Sequence, residues 1–174
     1  MIRFAVACAI LLAACSSATA TTTVASSVVT TTTAATTTTA APLLPPQLEG
    51  WETGEITVAV PGTAADRILV AVAADSGERE QGLMNVVDLL DLDGMLFVFD
   101  EDTATGFWMK NTLIPLDIAF FASDGTFVDR LTMEPCTEDP CPVYRPGSPY
   151  RFAVEVAAGN FDPLTGAEVL TIAE

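Results

Sequence analysis

The sequence predicts a mainly β protein: a single-domain antiparallel β-sandwich or barrel with one short helix. Three observations carry this. Short runs alternate apolar and polar residues at a period of two, as in Ile56-Thr57-Val58 and Phe152-Ala153-Val154-Glu155-Val156. Turn dipeptides, Pro61-Gly62 and Asp124-Gly125, separate such runs. No alternation of strands with long helical patterns occurs that would signal a parallel sheet.

The ordered elements follow a long N-terminal lead. Arg3 provides a positive start, residues 4–14 are apolar or small, and the run ends in Leu12-Ala13-Ala14-Cys15. About eleven apolar residues are too few to span a bilayer, which takes roughly twenty, but they suit a signal h-region. Leu-Ala-Ala-Cys is similar to the bacterial lipobox, which makes Cys15 the expected lipidation site and 1–15 a lipoprotein signal peptide. Residues 16–49 are rich in Thr, Ser, Ala and Pro, show no apolar periodicity and read as a disordered tether. Such a tether spans roughly 30 Å as a coil and roughly 100 Å fully extended. The β domain is assigned to residues 50–174.

Within that domain, residues 55–60 and 67–73 read as strands joined by the Pro61-Gly62 turn. Asp75 or Ser76 caps a short helix over 77–84, where Glu78 and Glu80 suit the positive end of the helix dipole. Residues 95–99 are apolar throughout, as in a strand covered on both faces, and 100–105 form an acidic loop. Residues 116–121 and 126–133 flank Asp124-Gly125 as a hairpin. A two-residue loop sets Leu116 opposite Met133, Asp117 opposite Thr132, Ile118 opposite Leu131 and Ala119 opposite Arg130. Residues 150–156 and 168–172 are the last strands.

Four cysteines are present. With Cys8 in the signal segment and Cys15 lipidated, Cys136 and Cys141 remain as an even pair suited to a disulfide in an oxidising compartment. So short a loop contributes only roughly 2 kcal/mol. The net charge of −16 argues against nucleic acid as a partner.

The densest stretch is Phe107-Trp108-Met109-Lys110-Asn111-Thr112-Leu113-Ile114-Pro115-Leu116-Asp117. Together with Glu78-Arg79-Glu80-Gln81-Gly82-Leu83-Met84, Gly94-Met95-Leu96-Phe97-Val98-Phe99, Cys141-Pro142 with Tyr144, and Glu155 with Gly159, it resembles the DUF192 family, also called UPF0127. The resemblance covers residues 78–159. It implies a β-sandwich or jelly-roll-like fold, often exported and sometimes lipidated, with no established activity. The chain departs from the family pattern at Thr165-Gly166-Ala167-Glu168, where a Gly-Asp step is usual, so the last turn is expected to differ.

The chain holds no histidine, which removes the commonest general base, the usual triads and Cys/His zinc sites. No Gly-rich phosphate loop and no nucleophile elbow is present. No cofactor is expected. Trp108, Lys110, Asn111, Arg79 and Tyr144 are the candidate ligand contacts, with Trp108 and Lys110 on one face of their strand and Phe107 and Met109 on the other. Asp117 and Glu155 are the candidate catalytic carboxylates for glycan hydrolysis, if they share one cleft. The competing reading of the same residues is an ion-pair network, with Asp117 to Arg130 and Lys110 or Arg79 to Glu155. Asp88, Asp91 and Asp93 before Gly94 form a weak calcium pattern that lacks the closing glutamate. The expected function is that of a monomeric, lipid-anchored extracytoplasmic binding or accessory module of the cell envelope, taking a small molecule or envelope polymer. An envelope glycan or peptide hydrolase and a structural assembly partner are the alternatives.

Overall fold

Alternating runs become strands, and both faces of the sheet they build are covered. The computed structural model describes residues 41–65, 67–161 and 164–173. Contacts divide the chain into Met1–Thr38 and Thr39–Glu174, and the described residues fall in the second unit. The signal segment, Cys15 and most of the tether lie outside the described residues.

The strands are β1 (Thr53–Ala59), β2 (Ile68–Ala73), β3 (Gly94–Thr103), β4 (Phe107–Trp108), β5 (Leu116–Phe121), β6 (Phe127–Met133), β7 (Val143–Tyr144), β8 (Tyr150–Ala157) and β9 (Val169–Ile172). One helix, α1 (Ser76–Gln81), lies between β2 and β3. Seven strands form one sheet in the order β6-β5-β8-β3-β2-β1-β9, and β4 pairs with β7 as a separate ribbon. The large sheet curls until its edges meet at one corner. There Phe127 N–H donates to the Glu168 carbonyl at 3.2 Å and Leu170 N–H to the Gly125 carbonyl at 2.8 Å. The result is a half-barrel, mainly β as expected.

Two cores follow from the curl. Inside it pack Ile56, Val70, Leu96, Ala119, Phe121, Val154 and Val156. The outer face carries Met95, Phe97, Ile118, Phe120 and Ala153, covered by Leu48, Leu83, Val86, Met109 and the partly buried Phe107. Phe107 fastens the β4-β7 ribbon to the sheet, its ring centroid 4.9 Å from Phe97 and 5.8 Å from Phe120. Burial of side chains of this size stabilises by roughly 1.5–3 kcal/mol each.

Several expectations are corrected in detail. β2 and β3 run parallel, from Val70 opposite Gly94 to Ala73 opposite Phe97. The α1 connection is long enough for the crossover that a parallel pair needs. The helix is closed by a capping box: Glu78 N–H donates to the Asp75 carboxylate at 2.9 Å, and Asp75 N–H to the Glu78 carboxylate at 3.0 Å. It stops at Gln81 because Gly82 turns the chain at φ 49°. The acidic stretch expected as a loop is strand as far as Thr103, with a register shift after Val98. The β5-β6 register is as predicted, but a bulge between Phe120 and Phe121 and a wider turn replace the two-residue loop. In that turn Ala122 N–H donates to Thr126 O at 2.9 Å. The fold also begins upstream of Gly50, because Leu48 is wholly buried and closes a 3-10 turn over Pro46–Leu48.

β7 had no strand signal in the sequence. It forms because Val143 and Tyr144 meet Trp108 and Phe107 across the ribbon, next to the Cys136–Cys141 disulfide, whose Cα atoms are 5.7 Å apart. The atypical last turn is held by Glu168, whose carboxylate accepts from Thr165 N–H, Thr165 Oγ1 and Gly166 N–H at 2.8–2.9 Å.

Candidate ligand-binding cleft

Alternation divides the Phe107–Asn111 run between two surfaces. Met109 is buried and Phe107 turns into the outer core, whereas Trp108 is 45% exposed and Lys110 faces solvent. The chain then bends at Asn111, whose φ of 57° lies in the left-handed region that asparagine tolerates. Asn85 makes a similar bend at φ 62°, and its N–H donates to the Asn111 carbonyl at 2.8 Å. These two turns border a cleft of about 640 Å³. Trp108, Lys110 and Asn111 line one side, and Gln47, Glu80, Gln81, Met84 and Asn85 the other.

The cleft's polar groups are largely uncommitted. The Lys110 ammonium lies 5.2 Å from the Trp108 ring centroid, a contact worth about 0.5–1 kcal/mol at an exposed site. Among the described residues, no protein group hydrogen-bonds the side chains of Lys110, Glu80 or Asn85. Asn111 Nδ2 reaches only the Met84 sulfur, at 4.0 Å. Gln81 Nε2 donates to the Gln47 carbonyl at 2.9 Å and ties the 3-10 turn to α1.

Behind the cleft is a chamber of about 30 Å³ that shares Glu80, Gln81, Met84 and Trp108 as walls. Glu155 lines it, on the outer face of β8 between Met95 of β3 and Ile118 of β5. Glu155 is 5% exposed, and burial pushes its carboxyl up to about 8. Among the described residues no group hydrogen-bonds that carboxyl. Among the described residues no buried side-chain oxygen or nitrogen is both sealed and unbonded, so the Glu155 oxygens keep some exposure where that residue lines the chamber. Gly94 makes this strand contact possible, since a Cβ there would lie 2.0 Å from the Glu155 carbonyl oxygen.

Asp117 is placed otherwise. It pairs with Val156, one position along from the Ile118–Glu155 pair, and so points to the opposite face of the sheet. Its wholly buried carboxylate accepts from Thr132 Oγ1 at 2.7 Å, Gly159 N–H at 2.8 Å and Phe161 N–H at 3.2 Å. The carboxylate pair imagined for hydrolysis therefore does not form. The Asp117 carboxylate, expected to pair with Arg130, is held by Thr132 and two backbone amides.

The remaining candidates separate cleanly. Arg79 borders the chamber, but its guanidinium donates to the carbonyls of Ala74 and Val98 and lies 5.1 Å from the Phe99 ring. It makes no ion pair with Glu155. Tyr144 lies away from the cleft, where its hydroxyl accepts from Glu134 N–H at 3.4 Å. The three aspartates of the calcium pattern each hold a backbone amide. Asp91 accepts from Leu43 N–H, Asp93 from Leu69 N–H and Asp88 from Leu90 N–H at 2.7–2.9 Å, and no metal-holding cluster of acidic or cysteine side chains occurs among the described residues. Gln47, Glu80, Gln81, Met84 and Asn85 were missed as site residues. Only the two left-handed asparagines carried a signal, as turn formers.

No curated protein matches. A crystal structure of a candidate transcription regulator from Sinorhizobium meliloti 1021 is similar with a TM-score of 0.64 and 29% identity, over 70% of this chain and 95% of that one. A protein of unknown function from Novosphingobium aromaticivorans DSM 12444 is similar with a TM-score of 0.63 and 28% identity, over 76% of this chain and 93% of that one. The DUF192 profile, described as uncharacterized ACR, COG1430, matches residues 57–168. The half-barrel that presents this cleft thus belongs, with its chain, to the DUF192 family.

Proposed function

We propose that this protein is a lipid-anchored, extracytoplasmic binding module of the cell envelope, and that the Trp108 cleft is its ligand site. The observation that carries the reading is the convergence of Trp108, Lys110 and Asn111 with α1 around a cleft whose polar groups are unspent. A stabilising network would have consumed those groups; a ligand site keeps them available. The lipobox-like Leu12-Ala13-Ala14-Cys15 and the long Thr-rich segment support the anchor, and the Cys136–Cys141 bond fits an oxidising compartment. No helix among the described residues is long and apolar enough to cross a membrane. The description of the Sinorhizobium protein as a candidate regulator is not carried over to DNA binding, because a net charge of −16 repels phosphate.

Two experiments test this. Trp108 fluorescence, read in a Trp51→Phe background, changes saturably on titration with soluble envelope fragments. Turnover of such a fragment that is lost in Lys110→Ala at an unchanged melting temperature would replace binding with catalysis. Metabolic labelling with palmitate marks the full-length chain and is lost in Cys15→Ser; labelling that survives the substitution removes the anchor from the proposal.

A further inference from the structure

We infer that the cleft takes a primary ammonium group, with Glu155 as its innermost acceptor and the Trp108 and Phe107 rings as its walls. This rests on the cleft being the ligand site. The chamber at its back is lined by the Glu155 carboxyl, the buried Thr112 hydroxyl, and the rings of Phe97, Phe107 and Trp108. Once ionised, Glu155 offers only acceptors, the Thr112 hydroxyl can accept, and the rings offer π faces. Arg79, the strong donor in the chamber lining, is committed to the carbonyls of Ala74 and Val98, and Lys110 lies in the outer cleft over the Trp108 ring. An ammonium is donor-only and is attracted to aromatic faces, so it matches this lining. Glu80 at the shared wall and the net charge of −16 draw a cation in and disfavour an anion.

Size narrows the class further. About 30 Å³ is room for a head group of water size, which favours –NH₃⁺ over a guanidinium or a quaternary ammonium. The shared wall includes Met84 and Gln81, unbranched side chains that can rotate to admit an alkyl stem.

A proton accompanies binding. The Glu155 carboxyl, held up to about 8 by burial, is mostly protonated at pH 7. To pair with an ammonium it releases that proton to solvent, so charge balances as RNH₃⁺ enters and H⁺ leaves. The charged groups facing Glu155 across the chamber are Arg79 and Glu80 of α1, with Lys110 beyond Trp108. β3 and β5 present apolar side chains on that face, among them Met95, Phe97, Ile118 and Phe120.

Calorimetric titration at pH 7, in two buffers of different ionisation enthalpy, tests this with four probes. n-Butylammonium and Nα-acetyl-lysine amide are expected to bind with release of about one proton each. Butylguanidinium and butanol bind at least about tenfold more weakly. Tighter binding of the lysine amide identifies a peptide side chain as the source, and the reverse identifies a free amine. Glu155→Gln loses both the proton release and at least about tenfold in affinity, and keeps the wild-type melting temperature at pH 5. Trp108→Ala, an exposed position, weakens amine binding independently of core packing. Amine binding without proton release, amine binding unaffected by Glu155→Gln, or equal binding of butanol overturns the inference. If envelope fragments perturb Trp108 but neither amine binds, the cleft stands and the ammonium falls. If neither fragments nor amines perturb Trp108, both fall.

Discussion

Asp117 and Glu155 sit on adjacent strands and are both nearly inaccessible, yet the fold treats them in opposite ways. Asp117 points into the half-barrel, where Thr132 and the amides of Gly159 and Phe161 surround its carboxylate. Those bonds tie the end of β8 to β5. Glu155 points outward beneath α1 and β4, and no protein donor meets it among the described residues. A buried carboxylate whose acceptor sites are filled is part of the scaffold. One that is buried at the back of a cleft and left unfilled marks a place where the fold has not been optimised for stability alone.

The comparison breaks most readily at Asp117. Asp117→Ala strands three donors and is expected to cost about 5 kcal/mol in urea unfolding, since each bond to a charged group is worth about 1.5–3 kcal/mol. A loss below about 1 kcal/mol would mean that the bonds hold nothing. The next effect belongs to Glu155 and depends on pH. The folded carboxyl keeps its proton up to about pH 8, whereas an unperturbed one releases it near 4.5. Across that window the folded state binds more protons, so stability is greatest at the acid end and falls as pH rises. The expected fall between pH 5 and pH 8 is about 3 kcal/mol, and Glu155→Gln should abolish this component. A wild-type profile that matches the variant's would place Glu155 in an ordinary solvated setting. The smallest effect sharpens the scaffold side: Thr132→Val removes one of three donors and should cost about 1.5 kcal/mol at every pH from 6 to 8. A larger cost at one end of that range would couple Asp117 to a titrating neighbour.

The sequence made local structure legible and left distant pairings hidden. Period-two alternation put Phe107 and Met109 on one face and Trp108 and Lys110 on the other, and hairpin register put Asp117 opposite Thr132. The same register put Arg130 within reach of Asp117. It could not show that Gly159 and Phe161, from another strand's end, would compete for the same oxygens. The parallel β2-β3 pair was hidden because a helix as short as α1 gives little periodic signal. Half of the cleft was hidden for a similar reason. Gln47 comes from a segment whose composition resembled the tether, and Glu80 and Gln81 look like any solvated helix face. Their role arises only when α1 is laid beside β4. The family resemblance supplied the motif boundaries but no chemistry, and the unbonded state of Glu155 has no sequence signature at all.

The neighbours at the far edge of the sheet have a kinetic consequence. β1 begins the domain and β9 ends it, yet they are hydrogen-bonded partners, with Ile56 opposite Ile172. Closing this pair requires nearly the whole domain to be present, and such long-range closure is slow. A chain delivered from its N-terminus therefore waits with β1 unpaired on one side until its last strand arrives. During that interval it stays open and threadable, and the half-barrel is complete only once β9 is in place.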